Sequence, residues 1–208
     1  MKIRSAEFIK SARCPEDFPR SEFPEVAFVG RSNVGKSSLI NTLLNRRRLA
    51  QTSNTPGRTR LINYFEINNL FYFVDLPGYG YARVPLAIKK EWGPMIERYL
   101  KIRENLVLVL MILDARRIPS KGDEMLKQWL ECNSIPFRYV MTKADKLSSN
   151  EFLQQRRRIS DAFNVLQEDF MPFSALTGRG KENVWKVIGA ALEGFRNSKG
   201  YAGEAVID

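Results

Sequence analysis

Residues 30–38 read GRSNVGKSS, which is the pattern G-x-x-x-x-G-K-S of a phosphate-binding loop with one further serine. The stretch follows the apolar run EVAFV (25–29) and precedes leucine and isoleucine residues at helical spacing over 37–45. A strand before the loop and a helix after it form the context in which this motif binds phosphates. The stretch therefore predicts a nucleotide-binding domain.

The loop itself predicts most of the phosphate contacts. Its glycines let the main chain wrap a polyphosphate with N–H groups turned inward. Lys36 supplies a positive charge to the β- and γ-phosphates, and Ser37 offers a hydroxyl to Mg²⁺. The residues expected to contact nucleotide here are Gly30, Arg31, Ser32, Asn33, Val34, Gly35, Lys36, Ser37 and Ser38.

Length and apolar patterning predict one domain. The chain has 208 residues, and we expect a single nucleotide-binding domain with an N-terminal extension (1–22), a core (23–195) and a disordered tail (199–208). The longest apolar run, 106–113, is too short for a membrane span, which needs about 20 residues. No signal-peptide pattern opens the chain, so we expect a cytoplasmic protein. We also expect a monomer.

Composition limits the chemistry. The absence of histidine excludes Ser-His-Asp and Cys-His nucleophiles and His-ligated zinc. Two cysteines offer no disulfide framework. The net charge of +10 attracts polyanions, and RNA is the abundant polyanion of the cytoplasm.

Apolar runs and amphipathic stretches alternate along the chain and predict the fold. The runs 61–67 and 70–76 flank Asn68 and Asn69, a pair suited to a hairpin turn. Further strands are expected over 105–115, 136–145 and 170–176, and helices over 85–102, 120–131, 148–165 and 181–195. This order predicts a three-layer α/β fold. It has a mostly parallel six-stranded sheet with one antiparallel edge strand and helices on both faces.

Ligands of such sheets bind at the carboxyl ends of the strands, where further motifs lie. Asp75 ends one strand and is expected to hold Mg²⁺ through water, opposite Ser37. Gly78, three residues later, is placed to offer its N–H to a γ-phosphate. Together with the preceding loop, these residues indicate a nucleoside triphosphate site.

The strand end TKAD (142–145) predicts the base. Asp145 can accept hydrogen bonds from the N1–H and 2-amino groups of guanine, which adenine lacks there. Lys143 can lay its methylene stem along the base. Adjacent contacts are expected from Thr142 and from Phe173, Ser174 and Ala175 at the last strand end, whose backbone N–H groups could meet guanine O6.

The segment TSNTPGRTR (52–60) lies between the phosphate loop and the hairpin. Thr59 is the expected second hydroxyl for Mg²⁺, with Thr55 as its competitor, and Gly57 and Arg58 are expected to contact nucleotide. The Pro-Gly content suits a segment that becomes ordered when triphosphate binds.

These motifs resemble the EngB/YihA group of bacterial GTP-binding proteins, in the TrmE–Era–EngA–YihA–septin-like GTPase superfamily. The resemblance covers about 23–195 and rests on GRSNVGKSSLIN, TPGRTRLINYF, VDLPGYGYA, TKAD and FSA. It implies the small-GTPase strand order, GTP and GDP as ligands with Mg²⁺, and slow GTP hydrolysis. It also implies a role in large-subunit assembly, with a ribosomal precursor or rRNA as partner, and in cell division and septation.

Two positions depart from the general GTPase pattern. Tyr79 stands where many GTPases have a glutamine that orients water, so intrinsic turnover should be slow. Thr142 replaces an asparagine and cannot offer an amide to the base or the phosphate loop, so nucleotide affinity should be modest. In related GTPases an asparagine at the position of Asn33 helps to hold K⁺, while the alternative is that Asn33 only caps the loop. The expected catalytic residues are Lys36, Asn33, Thr59 and Gly78.

Two other functions remain open on sequence alone. One is an ATP-dependent phosphotransferase, against which Asp145 and the absence of an evident acceptor lid stand. The other is an RNA-binding module whose nucleotide site is vestigial.

Overall fold

A seven-stranded sheet forms the centre of the computed structural model, which describes residues 2–50, 61–79 and 86–200, and of 86–92 only the main chain. The strands are β1 (Ala6–Ala12), β2 (Glu25–Gly30), β3 (Ile62–Ile67), β4 (Phe71–Asp75), β5 (Leu106–Asp114), β6 (Phe137–Thr142) and β7 (Phe170–Pro172). The helices are α1 (Lys36–Leu43), α2 (Leu86–Ile102), α3 (Lys121–Cys132), α4 (Ser149–Phe163) and α5 (Lys181–Lys199). The strand order is β1-β3-β4-β2-β5-β6-β7.

Strand directions confirm the predicted fold class. Parallel pairing joins β4, β2, β5, β6 and β7, whereas β3 is antiparallel to both of its neighbours, β4 and β1. The carboxyl ends of the five parallel strands therefore meet at one edge of the sheet. In the described ranges 2–50, 61–79 and 86–200, no helix is long and apolar enough to cross a membrane.

The strand count was predicted one too low, because β1 was missed. β1 comes from residues 1–22, which the sequence analysis treated as an extension, and it covers the edge of β3. Only its end residues Ala6 and Ala12 are fully buried, so the strand shows no alternation of apolar and polar residues. Its pairing with β3 is a long-range contact that local pattern does not encode.

Helices cover both faces of the sheet, as predicted. One apolar cluster joins Ala27 of β2 to Tyr99 of α2, to α3 and to Phe152 of α4. The other joins Phe28, the next residue of β2, to α1 and to Trp185 of α5. Successive strand residues face opposite sides, so β2 contributes to both cores and its carboxyl end is rigidly placed.

Local signals fixed several boundaries. Asn68 and Asn69 have φ of 53° and 55°, as a two-residue hairpin turn requires. Ser120 caps α3 and accepts a hydrogen bond from the N–H of Asp123, as expected. The last two strands are shorter than predicted. β6 ends at Thr142, because the next residue, Lys143, has a left-handed backbone with φ of 59°, and β7 ends at Pro172.

Gly180, just before α5, keeps the end of β7 close to the start of the helix. Its φ is +83°, and a Cβ at this position would lie 1.9 Å from the carbonyl oxygen of Pro172. The loop between them is closed by a hydrogen bond of 3.0 Å from the N–H of Ser174 to the carbonyl of Arg179. No other residue type fits this backbone without moving β7.

We expect Gly180→Ala to lower the free energy of unfolding by roughly 2–5 kcal/mol, from left-handed strain and overpacking. The matched control is Gly194→Ala within α5, where an added Cβ meets nothing within 4 Å. That control should raise stability by about 0.5–1 kcal/mol. Urea unfolding measures both, and similar small effects of the two substitutions would contradict the steric account.

Candidate nucleotide-binding site

The predicted loop, residues 30–38, joins β2 to α1 and is called the P-loop below. It lies at the carboxyl edge of the sheet beside the ends of β4, β5 and β6. The main chain of Tyr79, after β4, is hydrogen bonded to it: the Ser32 N–H donates to Tyr79 at 3.0 Å, and Tyr79 donates to Gly30 at 3.3 Å. The structure thus brings the predicted strand ends around one loop.

Lys36 and Asp75 form a direct ion pair between the P-loop and the end of β4. Their side chains are only 8% and 3% exposed, so the pair is shielded from water. Charges buried this deeply must be paired or hydrogen bonded. The two residues predicted to bind phosphate and Mg²⁺ are therefore in contact with each other.

The end of β6 is attached to the P-loop by side chains. The Thr142 hydroxyl lies 2.5 Å from the carbonyl oxygen of Val34 and 3.0 Å from that of Leu113. The Lys143 ammonium donates to the carbonyl of Asn33 at 2.7 Å. The sequence analysis noted that threonine lacks the amide that usually makes this link, but its hydroxyl reaches the loop instead.

Asp145 and Ser174 form the predicted base-reading corner. Asp145 lies in a short 3-10 turn after β6, and the hydrogen bond from the Ser174 side chain lowers the pKa of this carboxyl. The carboxylate is therefore held ionised as a hydrogen-bond acceptor, which suits the N1–H and amino groups of guanine.

The contacts predicted for the last strand end need one correction. The side chain of Phe173 is fully buried in the core, so only its main chain borders the site. The N–H of Ser174 already donates to Arg179, so the hydrogen bond predicted from this amide to guanine O6 is not free to form. Ala175, which follows and is exposed, remains a predicted contact.

Tyr79 points toward α3 rather than into solvent. Its hydroxyl donates to Asp123 at 2.7 Å, and Asp123 also accepts from the N–H and hydroxyl of Ser120. Burial, with the adjacent Asp123 charge, raises the pKa of Tyr79 well above its ordinary value. The phenol is thus a neutral donor fixed to the first turn of α3.

Asn33 has a left-handed backbone, with φ of 63°. Asparagine tolerates this conformation better than most residues, which supplies a structural reason for its presence in the loop. Its side chain is exposed and its carbonyl is held by Lys143. Both interpretations from the sequence, loop geometry and cation binding, are compatible with this placement.

One residue of the site was missed by the sequence analysis. Asp114 ends β5 and is buried, with the Lys143 ammonium 2.9 Å from one oxygen. Arg116 forms a two-pronged contact with the same carboxylate at 2.8 and 2.9 Å. The rule that ligands gather at strand ends, applied to β5 as well, would have singled out this position but not its two partners.

The oxygen donors suit Mg²⁺, which prefers oxygen ligands and keeps several of its waters. Ser37 lies in the first turn of α1 and Asp75 ends β4. Within the described ranges no three carboxylate or cysteine side chains gather as a metal cluster. The predicted contacts of Thr55, Gly57, Arg58 and Thr59 lie outside the described residues.

Comparisons with known proteins agree with this geometry. A family model described as 50S ribosome-binding GTPase matches residues 25–143. The protein named "Probable GTP-binding protein EngB" of Syntrophus aciditrophicus is 54% identical over 97% of this chain and 99% of its own length. The protein of the same name from Pelobacter propionicus is 55% identical over 90% of this chain and 94% of its own.

Solved structures are also similar. A crystal structure of a probable GTP-binding protein engB has a TM-score of 0.69 and 25% identity, covering 82% of this chain and 99% of that one. A structure of Era with MgGDPNP and part of 16S ribosomal RNA has a TM-score of 0.63 and 25% identity, covering 82% of this chain and 56% of that one.

The Asp114 cluster predicts a pH dependence of stability. Burial alone raises the pKa of Asp114, but the hydrogen bonds from Arg116 and Lys143 outweigh it and lower the pKa from 3.8 to about 2. A lowered carboxyl pKa stabilises the fold above the unfolded value, and this stability is lost as the pH falls toward 2.

We therefore expect a contribution on the order of 2 kcal/mol at neutral pH that disappears between about pH 4 and pH 2. Denaturant unfolding of wild type and Asp114→Asn across this range measures it. The variant should lack this component, while the exposed substitution Asp161→Asn should keep it. An identical pH profile for wild type and Asp114→Asn would contradict the assignment.

Proposed function

Because this chain belongs to the EngB family of GTP-binding GTPases, we propose that it is a slow, Mg²⁺-dependent GTP switch in assembly of the large ribosomal subunit. The observation that supports this most directly is that the predicted phosphate-binding and base-binding residues are joined to one another. Lys36 at the phosphate end and Asp145 at the base end border one loop, which Thr142 and Lys143 hold from β6. An RNA-binding module with a vestigial site would not need these contacts.

GTP or GDP would lie along the P-loop. Lys36 would leave Asp75 to contact the β- and γ-phosphates, since an ammonium has the charge and reach for both. Asp75 and Ser37, with Thr59 as the predicted further ligand, would hold Mg²⁺. That ion supplies neutralisation of the phosphate charge when it is bound. Gly78 would offer its N–H to the γ-phosphate.

Guanine would be read by Asp145. Its carboxylate, kept ionised by Ser174, accepts from N1–H and the 2-amino group, and Ala175 donates to O6. Adenine would leave the carboxylate without donors, and an unpaired polar group of this kind is a strong source of discrimination. This favours GTP over the ATP of a phosphotransferase.

Slow turnover follows from Tyr79. Its phenol donates to Asp123 and has no amide with which to orient water. Asn33 would raise the rate of GTP hydrolysis, because its exposed side chain can help to hold K⁺ beside the phosphates. A cation there would stabilise negative charge that develops during phosphoryl transfer.

The switch would act on a ribosomal precursor. GTP would order the segment 52–60 and the chain after Gly78, creating a surface for rRNA or ribosomal protein, and hydrolysis would release it. The net charge of +10 favours an RNA partner. We propose a monomer acting in the cytoplasm, with effects on cell division and septation that include those of impaired ribosome assembly.

Potassium use has a direct test. We expect GTP hydrolysis to be faster in KCl than in NaCl, by up to about 10³-fold, because K⁺ stabilises transition-state charge. Asn33→Ala should remove the difference between the salts. Hydrolysis measured with and without ribosomal particles gives the comparison, and equal rates in both salts under both conditions would exclude K⁺.

The cellular role is tested by depletion. Cells depleted of the protein should accumulate incomplete large ribosomal subunits, detected by sedimentation. Wild-type chain should restore the profile, whereas Lys36→Ala should not, since it removes the charge that binds phosphate. A normal profile after depletion would contradict the assembly role, and rescue by Lys36→Ala would favour the vestigial site.

A further inference from the structure

A cavity of about 320 Å³ lies on the flank of the P-loop, between residues 31–34 and the loop that joins β5 to α3. Its lining lacks Lys36, Ser37 and Asp145, which are the residues assigned to phosphate, Mg²⁺ and base. It does include residues 31–34 of the P-loop and Lys143, so the cavity shares one wall with the predicted nucleotide site while its other wall comes from the loop between β5 and α3. Its volume is at the lower end for ligand pockets and suits one projecting group of a larger partner.

The walls of this flank cavity carry an excess of positive charge. Four cations line it, and they are Arg31, Arg116, Arg117 and Lys143. The two carboxylates of the lining, Asp114 and Asp123, already accept hydrogen bonds from within the protein. Their charge is therefore largely committed to internal partners.

Several donors remain available in the cavity. The side chains of Arg31 and Arg117 form no ion pair with any other residue in the described ranges. Arg116 uses Nε and Nη2 on Asp114, which leaves Nη1. Lys143 donates to Asn33 and Asp114, and an ammonium has a third hydrogen. This set of donors fits an anion with several oxygens.

We infer that the flank cavity binds a phosphodiester of the RNA on which this protein acts, an inference that rests on the proposed ribosomal function. A phosphate group fits the volume, the donors and the charge, and the net charge of +10 draws the same polyanion. A contact here would reach the nucleotide site through Lys143, whose ammonium is bonded to the carbonyl of Asn33.

The flank cavity also borders the anchor of Tyr79. Asp123 lines the cavity and accepts the hydrogen bond from the Tyr79 hydroxyl. RNA in the cavity would thus contact Lys143, which is bonded to the P-loop, and Asp123, which is bonded to Tyr79. In this proposal, RNA binding and the nucleotide state are coupled through Lys143 and Asp123, because both processes depend on these two side chains.

The test uses Arg117→Ala and the matched control Arg157→Ala, which replaces another exposed arginine, on α4. Binding of the full chain to purified bacterial large ribosomal subunits, and to protein-free ribosomal RNA, is measured over a range of KCl with a non-hydrolysable GTP analogue. Loss of one phosphate contact should reduce the log–log salt slope by about 0.7–0.9. We expect this reduction for Arg117→Ala on both probes and a smaller one for Arg157→Ala.

Several results would overturn the inference. Equal slopes for wild type and Arg117→Ala, or equal reductions for both variants, would show that the cavity makes no special contact. A loss on subunits but not on free RNA would indicate a carboxylate of a ribosomal protein instead. Weakened GDP binding by Arg117→Ala would place the cavity within the nucleotide site. If wild-type protein binds neither probe, the proposed function itself fails.

Discussion

Two hydrogen bonds from the end of β6 to the main chain of the P-loop connect the halves of the nucleotide site. Thr142 reaches the carbonyl of Val34, and Lys143 reaches that of Asn33. Both acceptors are main-chain atoms of a loop whose N–H groups are to face phosphate, so each bond orients the peptide units involved. Asp145 lies two residues after Lys143, so these bonds also fix the base-reading carboxylate relative to the loop. Threonine makes this link with its hydroxyl, where an asparagine would use its amide.

A second constraint is the buried pair of Lys36 and Asp75. Removing one partner of such a pair costs about 3–5 kcal/mol, because the remaining charge stays in a poorly hydrated place. In the proposed GTP-bound state Lys36 turns to phosphate, and Asp75 then needs another cation. Asp75 and Ser37 would then hold Mg²⁺, whose positive charge would offset the carboxylate. In that proposed state the ion pair would link phosphate binding to metal binding, because neither charge would be left without a partner.

Sequence predicted what depends on local chemistry. The capping pair of Ser120 and Asp123, the asparagine turn and the P-loop all follow from residue types at fixed spacing. β1 could not be found in this way, because its burial comes from pairing with a distant strand. Asp114 lies near the end of a predicted strand, yet its role requires knowing that Arg116 folds back on it and that Lys143 reaches it. Such contacts belong to the tertiary arrangement, whereas the strand end alone indicates only the edge of the sheet.

Lys143 connects several parts of the site. It follows the last residue of β6, its stem is available to the base, and its ammonium joins Asn33 to Asp114. These contacts restrain the P-loop between two sites. On one side of the loop lies the proposed nucleotide site, and on the other lies the basic flank cavity. A phosphate in the flank cavity would share this ammonium with Asn33 and Asp114, since two of its three hydrogens are already bonded. In the proposed complex, this shared ammonium would connect an RNA partner in the cavity to the loop that binds nucleotide.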